Sequence, residues 1–176
     1  MVSRKRLIIT FSVSFFVLIF ILACGGTDTG GGNTGSVATG TVAAPTQASH
    51  FKVGDQVKIG SDWLVIVNSV KTSKGSSFSP PQQGNTYLVV DVTVKNLGSQ
   101  KQTVSSLLSF TLKDSTGQKY DEAITSGVGT PPDGDLTAGD QLKGQLVYEV
   151  PATQKQFTLA FNPDLTSDPS IWDLSL

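Results

Sequence analysis

Leu88-Val89-Val90-Asp91-Val92-Thr93-Val94-Lys95 is the stretch that decides the fold. Leu88, Val90, Val92 and Val94 fall on one face of an extended chain, and Asp91, Thr93 and Lys95 on the other. Successive side chains of a strand point to opposite faces, so this alternation marks a strand with one dry and one wet side, the habit of antiparallel sheet. The same period extends outward. Leu108, Phe110 and Leu112 alternate with Ser109, Thr111 and Lys113, and Leu142, Leu146, Tyr148 and Val150 with Gln141, Lys143, Gln145 and Glu149. Phe157, Leu159 and Phe161 repeat it, while Trp63-Leu64-Val65-Ile66-Val67 is apolar at every position. That unbroken run predicts an interior strand covered on both faces, or a strand near an edge under a loop.

Turn signals punctuate these runs: Gly54-Asp55, Gly60-Ser61, Asn96-Leu97-Gly98-Ser99, Asp114-Ser115-Thr116-Gly117, Asp133-Gly134 and Asn162-Pro163-Asp164. In the fourth, Asp at the first position can cap the turn and Gly at the last tolerates positive φ. No window carries a helical stripe longer than two turns. About eight short strands with turns this frequent predict an all-β fold, a two-sheet antiparallel β-sandwich, over residues 50–176.

The opening of the chain is different. Arg4, Lys5 and Arg6 precede a nearly uninterrupted apolar run over residues 7–23, the layout of an export signal. Ile21-Leu22-Ala23-Cys24-Gly25-Gly26 resembles the bacterial lipobox, although Leu22 is bulkier than the residue usual there. The resemblance implies a signal peptide over residues 1–23 and a lipid on Cys24, the only cysteine of the chain. The alternative is an uncleaved membrane-spanning anchor. Both place residues 25 onward outside the cytoplasm, because the positive flank stays inside. Residues 24–49, rich in Gly, Thr, Ala and Ser, bury too little apolar surface to offset their ordering entropy and read as a disordered tether.

A second resemblance covers the domain. Phe51-Lys52-Val53-Gly54-Asp55, residues 63–68 and residues 84–96 are similar to a widespread bacterial lipoprotein domain of unknown function. Residues 110–120, Gly139-Asp140, residues 144–151 and Trp172-Asp173-Leu174 continue the match. That family is similar to the telokin-like, immunoglobulin-like secreted antigens of mycobacteria, which implies an immunoglobulin-like sandwich and no activity.

Charge and composition narrow the function. The chain has 13 Lys+Arg and 14 Asp+Glu. Removing residues 1–23 takes away Arg4, Lys5 and Arg6 and no acidic residue, which leaves 10 against 14, a net charge of −4 and no arginine. A phosphate backbone calls for a clustered basic patch, so nucleic acid is not an expected partner. The one histidine, His50, stands at the junction of tether and domain. Serine and lysine are plentiful enough for a Ser-Lys pair, yet nothing singles one out, so the expectation is a non-enzyme with no cofactor. Zinc or copper would lack soft ligands. Asp133, Asp135 and Asp140, with Asp121 and Glu122 before them, lack the EF-hand spacing and read as solvated turn carboxylates, with calcium left open.

Trp63, Trp172, Phe157 and Phe161 sit in strand patterns and are expected in the core. Phe78 has no period to obey, and the cost of exposing a ring favours a plug over the sandwich end against a contact residue. Two connections are longer than hairpins require, residues 71–85 and 123–140, carrying Pro80-Pro81 and Pro131-Pro132. Phe78, Pro80, Pro81, Pro131, Pro132 and Asp133 are therefore the candidate contacts for a protein or glycan partner, because stiff loops lose little entropy on binding. The expected function is a monomeric, lipid-anchored binding or adhesion module on the outer face of the cell membrane. The alternatives are an accessory envelope protein packing through a sheet face, and a Ser-Lys hydrolase. An exposed apolar patch in the loops favours the first, and one on a sheet face the second.

Overall fold

The structure, a computed structural model, describes residues 49–164 and 167–176. The signal peptide, Cys24 and the tether up to residue 48 lie outside the described residues. Eleven strands and one helical turn follow in order: β1 His50–Lys52, β2 Gln56–Ile59, β3 Trp63–Ser73, β4 Asn85–Asn96, β5 Gln102–Val104, α1 Ser106–Ser109, β6 Phe110–Asp114, β7 Lys119–Tyr120, β8 Gly134–Leu136, β9 Gln141–Pro151, β10 Gln156–Phe161 and β11 Ser170–Ser175. One sheet runs β1-β11-β10-β6-β7 and the other β2-β3-β4-β9, while β5 and β8 form a separate ribbon. The sandwich is as expected, with more strands than about eight because four of them are only two or three residues long. One pairing, β1 on β11, is parallel.

The quoted stretch sets the register. Leu88, Val90 and Val94 of β4 stand opposite Tyr148, Leu146 and Leu142 of β9, and all six join the core. Opposite Val92, where the alternation of β9 calls for an apolar side chain, stands Gly144. Val65 and Val67 of β3 and Val57 of β2 extend the inner face. The other sheet supplies Phe110, Leu112, Phe157, Leu159, Phe161, Trp172 and Leu174. Trp63 packs edge-on against Phe161 at 5.9 Å, which joins the two sheets. Phe110 lies 4.9 Å from Phe161, so three aromatic rings meet there. Leu64 and Ile66, on the outer face of β3, are only half-buried, so the apolar run at residues 63–67 is interior in strand order and covered fully on one face alone.

Two readings need correction. Leu108 does not continue the alternation of Phe110 and Leu112: it is 78% exposed, in α1. Leu108 and Ser109 both donate to the Ser105 carbonyl, and the Asp133 carboxylate accepts from the Ser106 N–H at 2.6 Å. A helical turn rotates successive residues by about 100° instead of 180°, so Leu108 leaves the inner face. The face of β4 read as wet is also dry in part: Thr93 is buried, and at the start of the strand Tyr87 and Val89 are buried with Val147 of β9 under Ala123 and Val128. The Asp114 turn behaves as read. Its carboxylate accepts from the Thr116 hydroxyl (2.7 Å) and N–H (2.8 Å), the Gln118 N–H (3.0 Å) and the Tyr120 hydroxyl (2.8 Å), and Gly117 takes φ of 87°. Led by the Thr116 hydroxyl, these donors hold the Asp114 carboxyl at about 2.

Candidate functional site

From β7 the chain crosses to β9, where Ala123 N–H donates to the Val147 carbonyl at 2.7 Å and Glu122 bridges Tyr148. It then covers the outer face of Val89 and Val147, and the Gln145 N–H donates to the Thr130 carbonyl at 2.7 Å. Residues 122–130 thus form a strap along β9, which would otherwise be an unpaired edge. After Thr130 the strap passes to the inner side. A Cβ at Gly144 would lie 2.4 Å from the Pro132 nitrogen and 2.7 Å from the Pro131 carbonyl carbon, so the gap left by this glycine admits the diproline. Gly144→Ala is expected to cost about 1 to 3 kcal/mol by overpacking against backbone. The loss should appear in denaturant midpoints together with faster proteolysis within residues 124–130.

Between α1, the strap and β9 lies a cleft of about 260 Å³. Ser106, Glu122 and Asp133 line it beside Leu107, Ile124 and Val147. Ser106 and Tyr148 are almost fully buried, and the Ser106 hydroxyl, one Glu122 carboxyl oxygen and the Tyr148 hydroxyl have no hydrogen-bond partner among the described residues. Burial pushes the Glu122 carboxyl up; Ser106 is near enough to oppose that without closing a hydrogen bond, and the Asp133 charge adds to the rise. Burial, and then the Glu122 charge, push the Tyr148 hydroxyl above its ordinary range.

These shifts have a sign. A carboxyl raised in the folded state favours folding fully below its unfolded value near 4.5, and that contribution is lost as pH rises through the folded value. Lys119, Tyr120 and Asp121 also border Glu122, with Asp133 and Tyr148. Glu122→Gln is therefore expected to gain stability relative to the native chain as pH rises from 4.5. Thermal midpoints measured at pH 4 to 8 would check this, and a difference that shrinks with pH would contradict it.

The candidate contacts are dispersed over two loops. Phe78 does not plug the sandwich: it is 95% exposed. Ser76 and Ser79 exchange backbone hydrogen bonds of 3.3 and 3.2 Å, and the tight turn they close carries Ser77 and Phe78 at its tip. Pro80 is exposed, Pro81 half-buried, and the Pro80 carbonyl accepts from the Tyr87 hydroxyl at 3.4 Å. Pro131 and Asp133 are exposed, whereas Pro132 is buried against Gly144. The Ser76 hydroxyl donates to the Ser126 carbonyl at 3.1 Å, so the Phe78 loop and the strap touch. Sequence reasoning did not reach Leu107 (62% exposed) or Ile124 (95% exposed).

The three aspartates go separate ways. Asp133 accepts from Ser106, Asp135 is held by Lys101 (2.6 Å) and Thr103 (2.7 Å), and Asp140 accepts from the Thr137 hydroxyl. Lys101 leads in lowering the Asp135 carboxyl. Among the described residues no three His, Cys, Asp or Glu side chains converge on a position that could hold a metal ion. His50 Nδ1 lies 2.8 Å from Asp173 Oδ1, and both are well exposed.

Comparison with known proteins places the chain in a family. In overall fold the chain is similar to ycdA of Bacillus subtilis, provisionally named a lipoprotein, at 18% identity and TM-score 0.59 over 71% of this chain and 39% of that one. The chain thus spans well under half of that relative. It is also similar to yjhA of Bacillus subtilis (22% identity, TM-score 0.57, 70% and 98% of the two chains). MPT63, a secreted protein of Mycobacterium tuberculosis, gives 17% identity and TM-score 0.52 over 73% and 98%. No curated protein matches the chain. The family described as a domain of unknown function, DUF4352, matches residues 51–171, in line with the resemblance read from the same residues. A β-sandwich over its matched length, this chain belongs to the DUF4352 family.

Proposed function

We propose that the chain is an extracytoplasmic, lipid-tethered binding module without catalytic activity, whose partner docks on the loops around Phe78 and Ile124. One observation carries this reading. Among the described residues every exposed large apolar side chain lies in a connection, in α1 or, for Leu176, at the C-terminal end, and none on a strand. Phe78 and Ile124 are the most exposed of them, on two loops that touch through Ser76 and Ser126. Apolar side chains grouped on loops of a rigid scaffold mark contact surfaces, and an accessory role through a sheet face would put them on strands. The tether supports it too: residues 25–48 separate Cys24 from the first strand and let the domain stand off the membrane. The names of its structural neighbours, one provisionally a lipoprotein and one secreted, agree with export.

Cells crosslinked intact test the reading. Phe78→Ser with Ile124→Ser is expected to abolish the crosslinked partner while changing stability by less than about 0.5 kcal/mol, as for other exposed sites. A partner retained by the double variant would refute the loops as the contact. Cys24→Ser is expected to release the chain from membranes and to remove the acyl mass from its N-terminus; unchanged extraction would refute the anchor.

A further inference from the structure

The cleft between α1 and the strap has a chemistry that narrows what the partner presents. Its polar lining includes two carboxylates, Glu122 and Asp133, and the buried hydroxyl of Ser106, which has no partner, with Thr125 and Gln145 beside them. No lysine, arginine or histidine lines it. Leu107 and Ile124 stand exposed in the same lining, so one opening presents carboxylates and apolar side chains together. We propose that this cleft receives a lysine or arginine side chain of the partner protein, its stem between Leu107 and Ile124 and its charged head at Ser106, Glu122 and Asp133. The proposal rests on the reading of the domain as a binding module.

Other occupants fit less well. An anion would meet two carboxylates, since Lys119, which borders Glu122, is not among the residues that line the cleft. A neutral group could satisfy the Ser106 hydroxyl but would bring no countercharge to Glu122, whose charge burial penalises. A calcium ion takes six to eight oxygens as a rule, and no three acidic side chains converge among the described residues. The volume, about 260 Å³, falls below the roughly 300 to 1,000 Å³ of sites that enclose whole small ligands, which suits a single inserted side chain. Lysine and arginine join an apolar stem to a cationic head, and the lining offers a match to both, Leu107 and Ile124 for the stem and the carboxylates for the head.

The test is an NMR titration of the full chain in detergent with acetyl-arginine-amide, and with acetyl-citrulline-amide as the neutral isostere. Saturable shifts of the Ser106, Leu107, Ile124 and Gly129 amides are expected with the arginine compound, and affinity at least roughly tenfold weaker with the citrulline one. Glu122→Gln should weaken arginine binding by a similar factor while keeping the dispersed spectrum of the folded domain. No saturable shift up to millimolar concentration would overturn the proposal, as would equal binding of citrulline or undiminished binding by the variant. Because the titration contains no partner protein, its failure removes the cationic site alone. Loss of the module itself would show instead as cells that yield no crosslink.

Discussion

Phe161→Ala is expected to destabilise the domain by about 3 to 5 kcal/mol, the range for deleting a large aromatic from a packed core. Phe161 is 1% exposed and holds Phe110 on its own sheet and Trp63 on the other, so its removal opens a cavity where the two layers meet. Strands β6 and β10 also pair at this residue, Phe161 opposite Phe110. Urea unfolding followed by tryptophan fluorescence would measure the loss, since Trp63 reports on the site directly. A cost under about 1 kcal/mol would place Phe161 outside the core.

The second large effect concerns a polar residue. Asn96 ends β4, is fully buried, and uses its whole side chain: Nδ2 donates to the Gln100 carbonyl (2.7 Å) and the Leu136 carbonyl (3.0 Å), and Oδ1 accepts from the Gly98 N–H (2.9 Å). It thereby fastens the β5–β8 ribbon to the four-stranded sheet. Asn96→Ala would leave two carbonyls and an N–H without these partners, and a buried group so orphaned costs about 1 to 3 kcal/mol. A total near 3 kcal/mol is expected after partial relaxation, with hydrogen exchange rising first at Thr103 and Asp135 of the ribbon. Asn96→Asp should do no better, because a buried carboxylate cannot donate to either carbonyl.

The fold was legible wherever local alternation and burial agree. Leu88, Val90, Val92 and Val94 announce their face without help, and Phe157, Leu159 and Phe161 do the same. Turn chemistry was equally local: Asp114 and Gly117 act within five residues of one another. The strap left a fainter trace. Four consecutive apolar residues at 87–90, and three at 146–148, exceed what one wet face permits, and Gly144 interrupts the apolar period of β9. Those departures signal a covering segment, although not which one. Asn96 was read as a turn residue, and only the position of Leu136 behind it shows that it is a buried fastener.

The cleft was legible only in its carboxylates, Glu122 and Asp133, which the sequence singles out without bringing them together. Ser106, Glu122, Asp133 and Val147 come from four segments, and the register of β9 against the strap brings them together. The turn of α1 depends on a carboxylate 27 residues away, so Leu107 and Leu108 carry no local sign that they leave the strand face. Phe78 illustrates the converse. Its apolar character alone favours burial, and the decision is made by two serines that close the turn beneath it.

A photoreactive amino acid placed in turn at Phe78, Ile124 and Lys58, followed by irradiation of intact cells, tests the docking surface most directly. Lys58 lies exposed on the outer face of β2 and serves as the sheet-face control. The expected result is one common adduct from positions 78 and 124 and none from 58. An adduct from 58 alone, or no adduct from either loop, would contradict a module that binds through its loops.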